Sequence, residues 1–258
     1  MMNRKLFLMI TALLLSAVIT IAYQHNSSSH NLVTPLKNAV RPAPKYDARL
    51  LDTFNKIAGT LDVRHTPCTY SGEITVTDRA DSLQNNRNVP FLYSQNGADC
   101  YYRYGSTEML NAGGIYLFIS HDQHKVMVSA QKTISTEGVG SLAMFKSGMA
   151  SEHYLLSSDT KKNIRTIRLL NEHHISCKEY KISYDTLSRE VKEIYARLPN
   201  SADPANPAMD RIVDVHFQRW VRRAEIAKHL QAEHVVRTDG DELKLTADYH
   251  NYELVRTQ

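Results

Sequence analysis

The chain has little cysteine, glycine, proline and tryptophan: its 258 residues include 3 Cys, 10 Gly, 8 Pro and 1 Trp. A collagen-like or Pro/Gly-rich chain is thereby excluded, and three cysteines are too few for the disulfide framework of a small secreted domain. Charge of one sign is lacking too, because 31 basic and 27 acidic residues leave a net charge of only +4. So small a balance gives no reason to expect a nucleic-acid partner. The rest of the composition is that of an ordinary globular protein.

Catalytic and metal-binding motifs are lacking in the structural context that their chemistry needs. Gly138–Ala143 matches G-x-G-x-x-A but follows antiparallel segments, whereas a dinucleotide-binding turn needs a parallel βαβ unit. Ser158–Lys161 has S-x-x-K spacing but precedes a predicted strand in a polar segment, and no K-T-G follows it. His121 and His124, with Asp122 between them, offer two of the three or four ligands that a metal needs. We therefore predict a protein that is not an enzyme and holds neither metal nor cofactor.

One apolar run stands out, at the N-terminus. Arg4 and Lys5 precede the uncharged run Leu6–Tyr23. A positive segment followed by an apolar one is typical of an export signal, but the run is also near the roughly 20 residues that span a bilayer. Residues 1–22 are therefore predicted to be either a signal peptide or an N-terminal membrane anchor. In both cases the body of the chain is predicted to be exported, either periplasmic or anchored in the inner membrane facing the periplasm.

Residues 23–45 are polar and contain three prolines, which predicts an extended linker. The folded body is predicted to begin with an amphipathic helix, because the apolar residues from Leu50 to Leu61 recur at the spacing of one helix face. No shift in composition divides the rest of the chain. Residues 46–258 are therefore predicted to form a single domain.

Short alternating segments follow one another closely between Tyr70 and Ala130. Connections of two to five residues, such as the Asn96-Gly97 turn, join only antiparallel neighbours, because a parallel crossover is much longer. The prediction is an α+β fold, mostly antiparallel β, with a curved sheet or incomplete β-barrel and helical inserts. The strands predicted here are Thr69–Thr77, Val89–Gln95, Asp99–Tyr104, Thr107–Leu110, Ile115–Ser120 and Lys125–Ala130.

The second half is predicted to continue with strands and two helices. The helices lie around Ser141–Leu156 and at Ala224–Gln231. The strands are Asn163–Asn171, His174–Tyr184, Glu190–Arg197, Arg211–Trp220, Glu242–Thr246 and Tyr252–Arg256.

Aromatic residues are concentrated in the first half of the sheet. On a concave face they would line a groove for an acyl chain or apolar peptide, and on a convex face they would be ordinary cross-strand pairs. Both interpretations are open at this point. The candidate ligand-binding residues are Tyr93, Tyr102, Tyr104, Tyr116 and Phe118.

The three cysteines, Cys68, Cys100 and Cys177, allow at most one intramolecular disulfide. Cys68 and Cys100 flank neighbouring strands of the predicted sheet, so they are the predicted pair. The alternative is three small buried thiols.

A basic cluster surrounds the tryptophan. It is either a solvated face or a contact for anionic lipid headgroups or an acidic partner. Its members are Arg219, Arg222, Arg223 and Lys228, beside Trp220.

The order of these elements resembles that of the LolA/LolB-type lipoprotein carriers. An export segment precedes an amphipathic helix, a long antiparallel meander, a helical insert, more strands and a closing Tyr-rich strand. The segments that carry the resemblance are Leu50–Leu61, Ala98–Ala130, Tyr184–Ile194 and Leu243–Val255. The resemblance covers nearly all of residues 46–258 and implies a half-barrel-like domain whose concave sheet receives acyl chains. No functional residue of the family maps onto a position here.

Together these features predict a non-catalytic exported envelope protein that binds a lipid, a lipoprotein or another apolar ligand in a concave β-sheet. The alternative is a membrane-anchored interaction or structural subunit of a cell-envelope assembly. In that case the partner is another envelope protein, and residues 6–23 contact the membrane.

Overall fold

The computed structural model describes residues 44–61, 67–133, 152–240 and 242–256. The predicted signal or anchor at 1–22, nearly all of the linker at 23–45, and Gly138–Ala143 lie outside these residues. Within the described ranges, no helix is both long enough and apolar enough to cross a membrane.

The predicted amphipathic helix is present as α1, Ala48–Gly59. Asp47 caps it, because its carboxylate Oδ1 accepts hydrogen bonds from the backbone N–H of Arg49 at 2.8 Å and of Leu50 at 2.9 Å. Its buried face contains Phe54, Ile57 and Ala58. The i, i+3, i+4 spacing of these residues is the apolar periodicity that predicted the helix.

The described residues form fourteen strands. Twelve belong to one sheet, in the order β14-β6-β5-β4-β3-β2-β1-β11-β10-β9-β8-β7, and β12 and β13 form a separate hairpin. The bounds are β1 Cys68–Asp78, β2 Asn86–Asn96, β3 Asp99–Tyr104, β4 Thr107–Ala112, β5 Ile115–Ser120, β6 Lys125–Ala130, β7 Leu155–Lys161, β8 Ile164–Leu170, β9 Glu179–Asp185, β10 Val191–Leu198, β11 Arg211–Val221, β12 Val236–Asp239, β13 Glu242–Leu245 and β14 Glu253–Arg256.

The fold class predicted from the sequence is confirmed: the chain is mostly antiparallel β with few helices. Consecutive strands from β2 to β6 pair antiparallel across tight turns. The sheet is unclosed, since β14 and β7 end the strand order. The pairing of β14 with β6 is parallel, with Glu253 opposite Lys125 and Arg256 opposite Val128.

Four elements differ from the prediction, and one of them is the strand predicted at His174–Tyr184, which begins only at Glu179. The described end of the helix predicted around Ser141–Leu156 is instead the start of β7, which pairs residue for residue with β8. Almost all of β7 is exposed, so its sequence lacks the alternation that marks a half-buried strand. β12 was not predicted, and the helix expected at Ala224–Gln231 is only a single turn, α2, Ile226–His229. Ser158 and Lys161 both lie on β7, far from the buried helix start that S-x-x-K chemistry requires.

The chain separates into two compact units. The first unit contains the described residues of Met1–Asp62, Thr75–Arg87 and Thr136–Val215, and the second contains those of Val63–Ile74, Asn88–Ser135 and His216–Gln258. That residues 46–258 are one domain stays a prediction.

The first unit contains a buried ion pair. Lys178 Nζ lies 2.7 Å from Asp210 Oδ1, and their side chains are 2% and 0% exposed. Arg197 Nη1 lies 3.3 Å from the other carboxylate oxygen of Asp210. Because a lone charge at such depth is costly, each member of this group requires the others. Nearby, Phe54 of α1 packs edge-to-face on Tyr180, with ring centroids 6.5 Å apart.

The second unit has its apolar core on one face of β3–β6. The segment after β11 covers that face with Leu230, Val235 and Val236. The strand residues beneath them are Tyr101, Leu110, Leu117, Ile119, Val126 and Val128. The opposite face of these strands carries the predicted ligand-binding residues.

Candidate functional site

The strand register places aromatic side chains in one row across β2–β5. Tyr93 is opposite Tyr102, Tyr102 is opposite Met109, and Met109 is opposite Phe118. Residues directly opposite each other in an antiparallel pair project from the same face of the sheet. The row therefore joins three of the five predicted residues.

The other two predicted residues project from the same face. Tyr104 follows Tyr102 by two positions in β3, and Tyr116 precedes Phe118 by two positions in β5, so strand alternation keeps each pair together. We call the surface formed by these five residues the aromatic face. Tyr101, which belongs to the same tyrosine-rich stretch, points to the opposite side and joins the apolar core.

Further aromatic residues of the second unit extend the aromatic face. Phe91 lies directly opposite Tyr104, and Tyr70 stacks on Tyr93 with ring centroids 5.5 Å apart. Phe217 packs edge-to-face on Phe91 at 5.8 Å, and Trp220 lies 4.8 Å from Tyr70. Phe91 could have been predicted from the sequence, because it lies two positions before Tyr93 and so shares its strand face. Finding the others requires the strand order, because their contacts are remote in sequence.

The aromatic face is largely buried. Tyr102, Phe118 and Tyr116 are 3%, 5% and 8% exposed. Burial raises the pKa of Tyr116 to about 12 and raises the pKa of Tyr93 and Tyr102 well above the usual value of a phenol. These hydroxyls are therefore neutral hydrogen-bond donors at physiological pH.

Two tyrosine hydroxyls on the aromatic face differ in their hydrogen bonding. Tyr93 donates to Oε1 of Gln95, whose amide in turn donates to the Gly97 carbonyl at 2.8 Å. The Tyr102 hydroxyl is buried and makes no hydrogen bond to any of the described residues. A buried unpaired polar group costs about 1–3 kcal/mol. Tyr102 thus places a buried donor on the aromatic face for which the described residues supply no acceptor.

A cation stands at one edge of the aromatic face. The exposed Lys132 has its Nζ 3.8 Å from the centre of the Tyr116 ring. Its backbone is fixed by Asn111, whose Oδ1 accepts from Lys132 N at 2.8 Å and whose Nδ2 donates to Lys132 O at 3.0 Å. This pair of hydrogen bonds to one side-chain amide fixes the main chain from which the lysine projects.

The structure corrects the predicted Cys68–Cys100 disulfide, because all three cysteines are buried free thiols. β2 lies between β1 and β3, and Gln95 of β2 is directly opposite Cys100. Strands are about 4.8 Å apart, so positions flanking a third strand are about 10 Å apart and beyond the roughly 7 Å Cα limit of a disulfide. Burial raises the pKa of Cys68 to about 11 and that of Cys100 and Cys177 to about 12.

The basic cluster near Trp220 is organised around one buried carboxylate, Glu225. Arg219 lies 2.7 Å from it, and Arg223 and Lys228 each lie 3.0 Å from it. Hydrogen bonds from these side chains, led by that from Arg219, lower the pKa of Glu225 to about 2. Three of the four predicted cations therefore hold the loop after β11 in place, which neither interpretation of the cluster anticipated.

The histidines of the turn after β5 do not form a metal site with their neighbours. No group of convergent metal ligands in the described part of the chain includes His121 or His124. Both ring nitrogens of His121 are engaged by Glu108 and Tyr252 instead.

Comparisons with known proteins give a similarity in structure but none in sequence. No family model matches the sequence, and no curated protein matches it. Among solved structures, the chain is similar to a LolA superfamily protein from Nitrosomonas europaea, at 6% sequence identity and a TM-score of 0.30. The match covers 72% of this chain and 98% of that chain. This similarity assigns no family.

Proposed function

We propose that this chain is a non-catalytic, exported protein of the cell envelope that binds a lipid, a lipoprotein or another apolar ligand at the aromatic face. The observation that carries the proposal is the convergence of Tyr93, Tyr102, Tyr104, Tyr116 and Phe118 on one face of the sheet. An acyl chain lying against these rings would gain about 0.8 kcal/mol for each methylene that it buries.

Polar groups on the aromatic face favour an amphiphilic ligand over a pure hydrocarbon. The Tyr102 hydroxyl, which has no hydrogen-bond partner among the described residues, offers a donor to an ester or amide carbonyl. Lys132, at the edge of the same face, offers a positive charge to an anionic headgroup. The ligand therefore carries one acceptor near its tail and negative charge at its head.

The second candidate function is that of an interaction subunit anchored in the membrane, with no ligand. One observation favours it: Tyr102, Phe118 and Tyr116 are already as buried as the residues of a filled core. A face that is filled by the protein itself has no room for an acyl chain.

Native mass spectrometry of the gently purified full chain separates the two candidates. The ligand-binding proposal predicts an adduct of lipid mass whose occupancy falls in Tyr102→Phe and is unchanged in the control Tyr195→Phe. Tyr195 lies on β10 in the other unit. A protein that is consistently free of adduct would refute ligand binding and favour the interaction subunit.

N-terminal sequencing of the same preparation tests export. A mature chain that begins after residue 22 identifies a cleaved signal peptide and permits a freely diffusing carrier. A chain that retains Leu6–Tyr23 identifies the anchor and excludes free diffusion across the periplasm.

A further inference from the structure

The second unit contains a pocket that the proposed function does not use. Its volume is about 470 Å³, within the roughly 300–1,000 Å³ of small-molecule sites. The pocket lies on the side of the sheet opposite to the aromatic face, because its lining residue Leu230 belongs to the apolar core that contains Tyr101 and Leu110. The lining residues are His121, Leu230, His234, Asp248, Tyr249 and Tyr252.

A continuous chain of hydrogen bonds ends at two of the lining residues, His121 and Tyr252. The Tyr101 hydroxyl donates to Glu108 Oε2 at 2.6 Å. The other oxygen of that carboxylate lies 3.0 Å from His121 Nε2. On the far side of the imidazole, Nδ1 lies 2.8 Å from the Tyr252 hydroxyl.

A carboxylate only accepts hydrogen bonds, so the Nε2 of His121 donates to Glu108. The Tyr252 hydroxyl donates to Nδ1 when the imidazole is neutral and accepts from Nδ1 when it is charged. In both cases the Tyr252 oxygen keeps a lone pair that can accept from a bound molecule, so the pocket can receive a ligand that donates hydrogen bonds.

The charge and shape of the pocket favour a positive ligand with an apolar body. Among the lining residues Asp248 is the one carboxylate, and it is exposed. Tyr249 and Tyr252, with ring centroids 5.1 Å apart, supply aromatic surface that attracts cations, and Leu230 supplies an apolar wall.

We propose that this pocket binds a small organic ammonium ion. The cationic nitrogen donates to the carboxylate of Asp248 and to the Tyr252 oxygen, while the apolar body packs against Leu230 and Tyr249. The site is independent of the aromatic face and is predicted whether or not a lipid binds there.

Isothermal titration calorimetry of the full chain tests the proposal with 2-phenylethylammonium as the probe. Its neutral counterpart of nearly equal shape, 2-phenylethanol, is expected to bind at least fivefold more weakly. Asp248→Asn is expected to weaken binding of the amine at least fivefold, and Tyr252→Phe about twofold to fivefold. Asp159→Asn, an exposed carboxylate on β7, is expected to leave it unchanged.

Circular dichroism of each variant verifies the fold, and the exposure of Asp248 makes its substitution a mild one. The proposal is overturned if wild type shows no binding of the amine at millimolar concentration. It is also overturned if amine and alcohol bind equally, or if Asp248→Asn and Asp159→Asn weaken binding to the same extent.

Discussion

Removing one hydroxyl from each of two neighbouring tyrosines is expected to change stability in opposite directions. Tyr93 and Tyr102 are directly opposite each other on β2 and β3 and share the aromatic face. Only the Tyr93 hydroxyl has a hydrogen-bond partner among the described residues. Tyr→Phe at these two positions is therefore a matched pair of changes of identical volume.

The magnitudes are set by the hydrogen bonds that each hydroxyl makes. In ligand-free protein, Tyr102→Phe removes an unpaired buried hydroxyl and is expected to raise the free energy of unfolding by about 1 kcal/mol. Tyr93→Phe removes a donor and leaves Oε1 of the buried Gln95 without it, so the same free energy is expected to fall by about 1–3 kcal/mol. With an amphiphilic ligand bound, Tyr102→Phe instead loses a hydrogen bond worth about 0.5–1.5 kcal/mol, or roughly 2- to 12-fold in affinity.

Urea unfolding of delipidated wild type and the two variants, followed by tyrosine and tryptophan fluorescence, provides the measurement. A shift of the midpoint upward for Tyr102→Phe and downward for Tyr93→Phe agrees with the structure. If both variants are destabilised by similar amounts, the Tyr102 hydroxyl has a partner within the protein, and the reasoning that assigns it to a ligand is refuted.

Three further predictions concern buried charges and thiols. Lys178→Met leaves Asp210 without its closest cation and is expected to lower the free energy of unfolding by about 3–5 kcal/mol. The control Lys56→Met, at an exposed ion pair, is expected to lower it by less than about 0.5 kcal/mol. Equal urea midpoints for the two variants would contradict this prediction. Burial raises the pKa of the three thiols to about 11 or 12. At pH 8 the native protein is therefore expected to react slowly with a thiol reagent, whereas the unfolded protein is expected to react completely. Fast labelling of the native protein would contradict this prediction. Hydrogen bonds lower the pKa of Glu225, so the stability that this carboxylate contributes is present above about pH 4.5 and is lost as the pH falls towards about 2. Glu225→Gln is expected to flatten the curve of stability against pH across that acid range. An unchanged curve would exclude the contact with Arg219 as the cause of the acid sensitivity.

Local sequence patterns predicted the part of the fold in which contacts are local. Alternation and two- to five-residue turns are enough to define β2–β6, and period-2 spacing places Tyr102 with Tyr104 and Tyr116 with Phe118. The Asn96-Gly97 turn fixes the register of β2 and β3, and this register places Tyr93 opposite Tyr102.

Contacts between remote segments could not be predicted in this way. Tyr252 meets His121 across 131 residues, and no local periodicity encodes such a pairing. β7 escaped prediction for another reason: it pairs locally with β8, but its exposed residues lack an alternating pattern. The disulfide prediction assumed that Cys68 and Cys100 flank neighbouring strands, but β2 lies between β1 and β3.

The parallel pairing of β14 with β6 has a consequence for how the chain folds during synthesis. β6 ends at Ala130, and its partner Glu253–Arg256 is made about 120 residues later. At roughly 5–20 residues per second, the ribosome needs roughly 6–24 seconds to supply it. Throughout that interval the outer edge of β6 presents unpaired N–H and C=O groups, which are a template for pairing with another nascent chain. The nascent chain is thus most prone to aggregation before β14 emerges, and a holding chaperone that occupies the edge of β6 in this window would protect it.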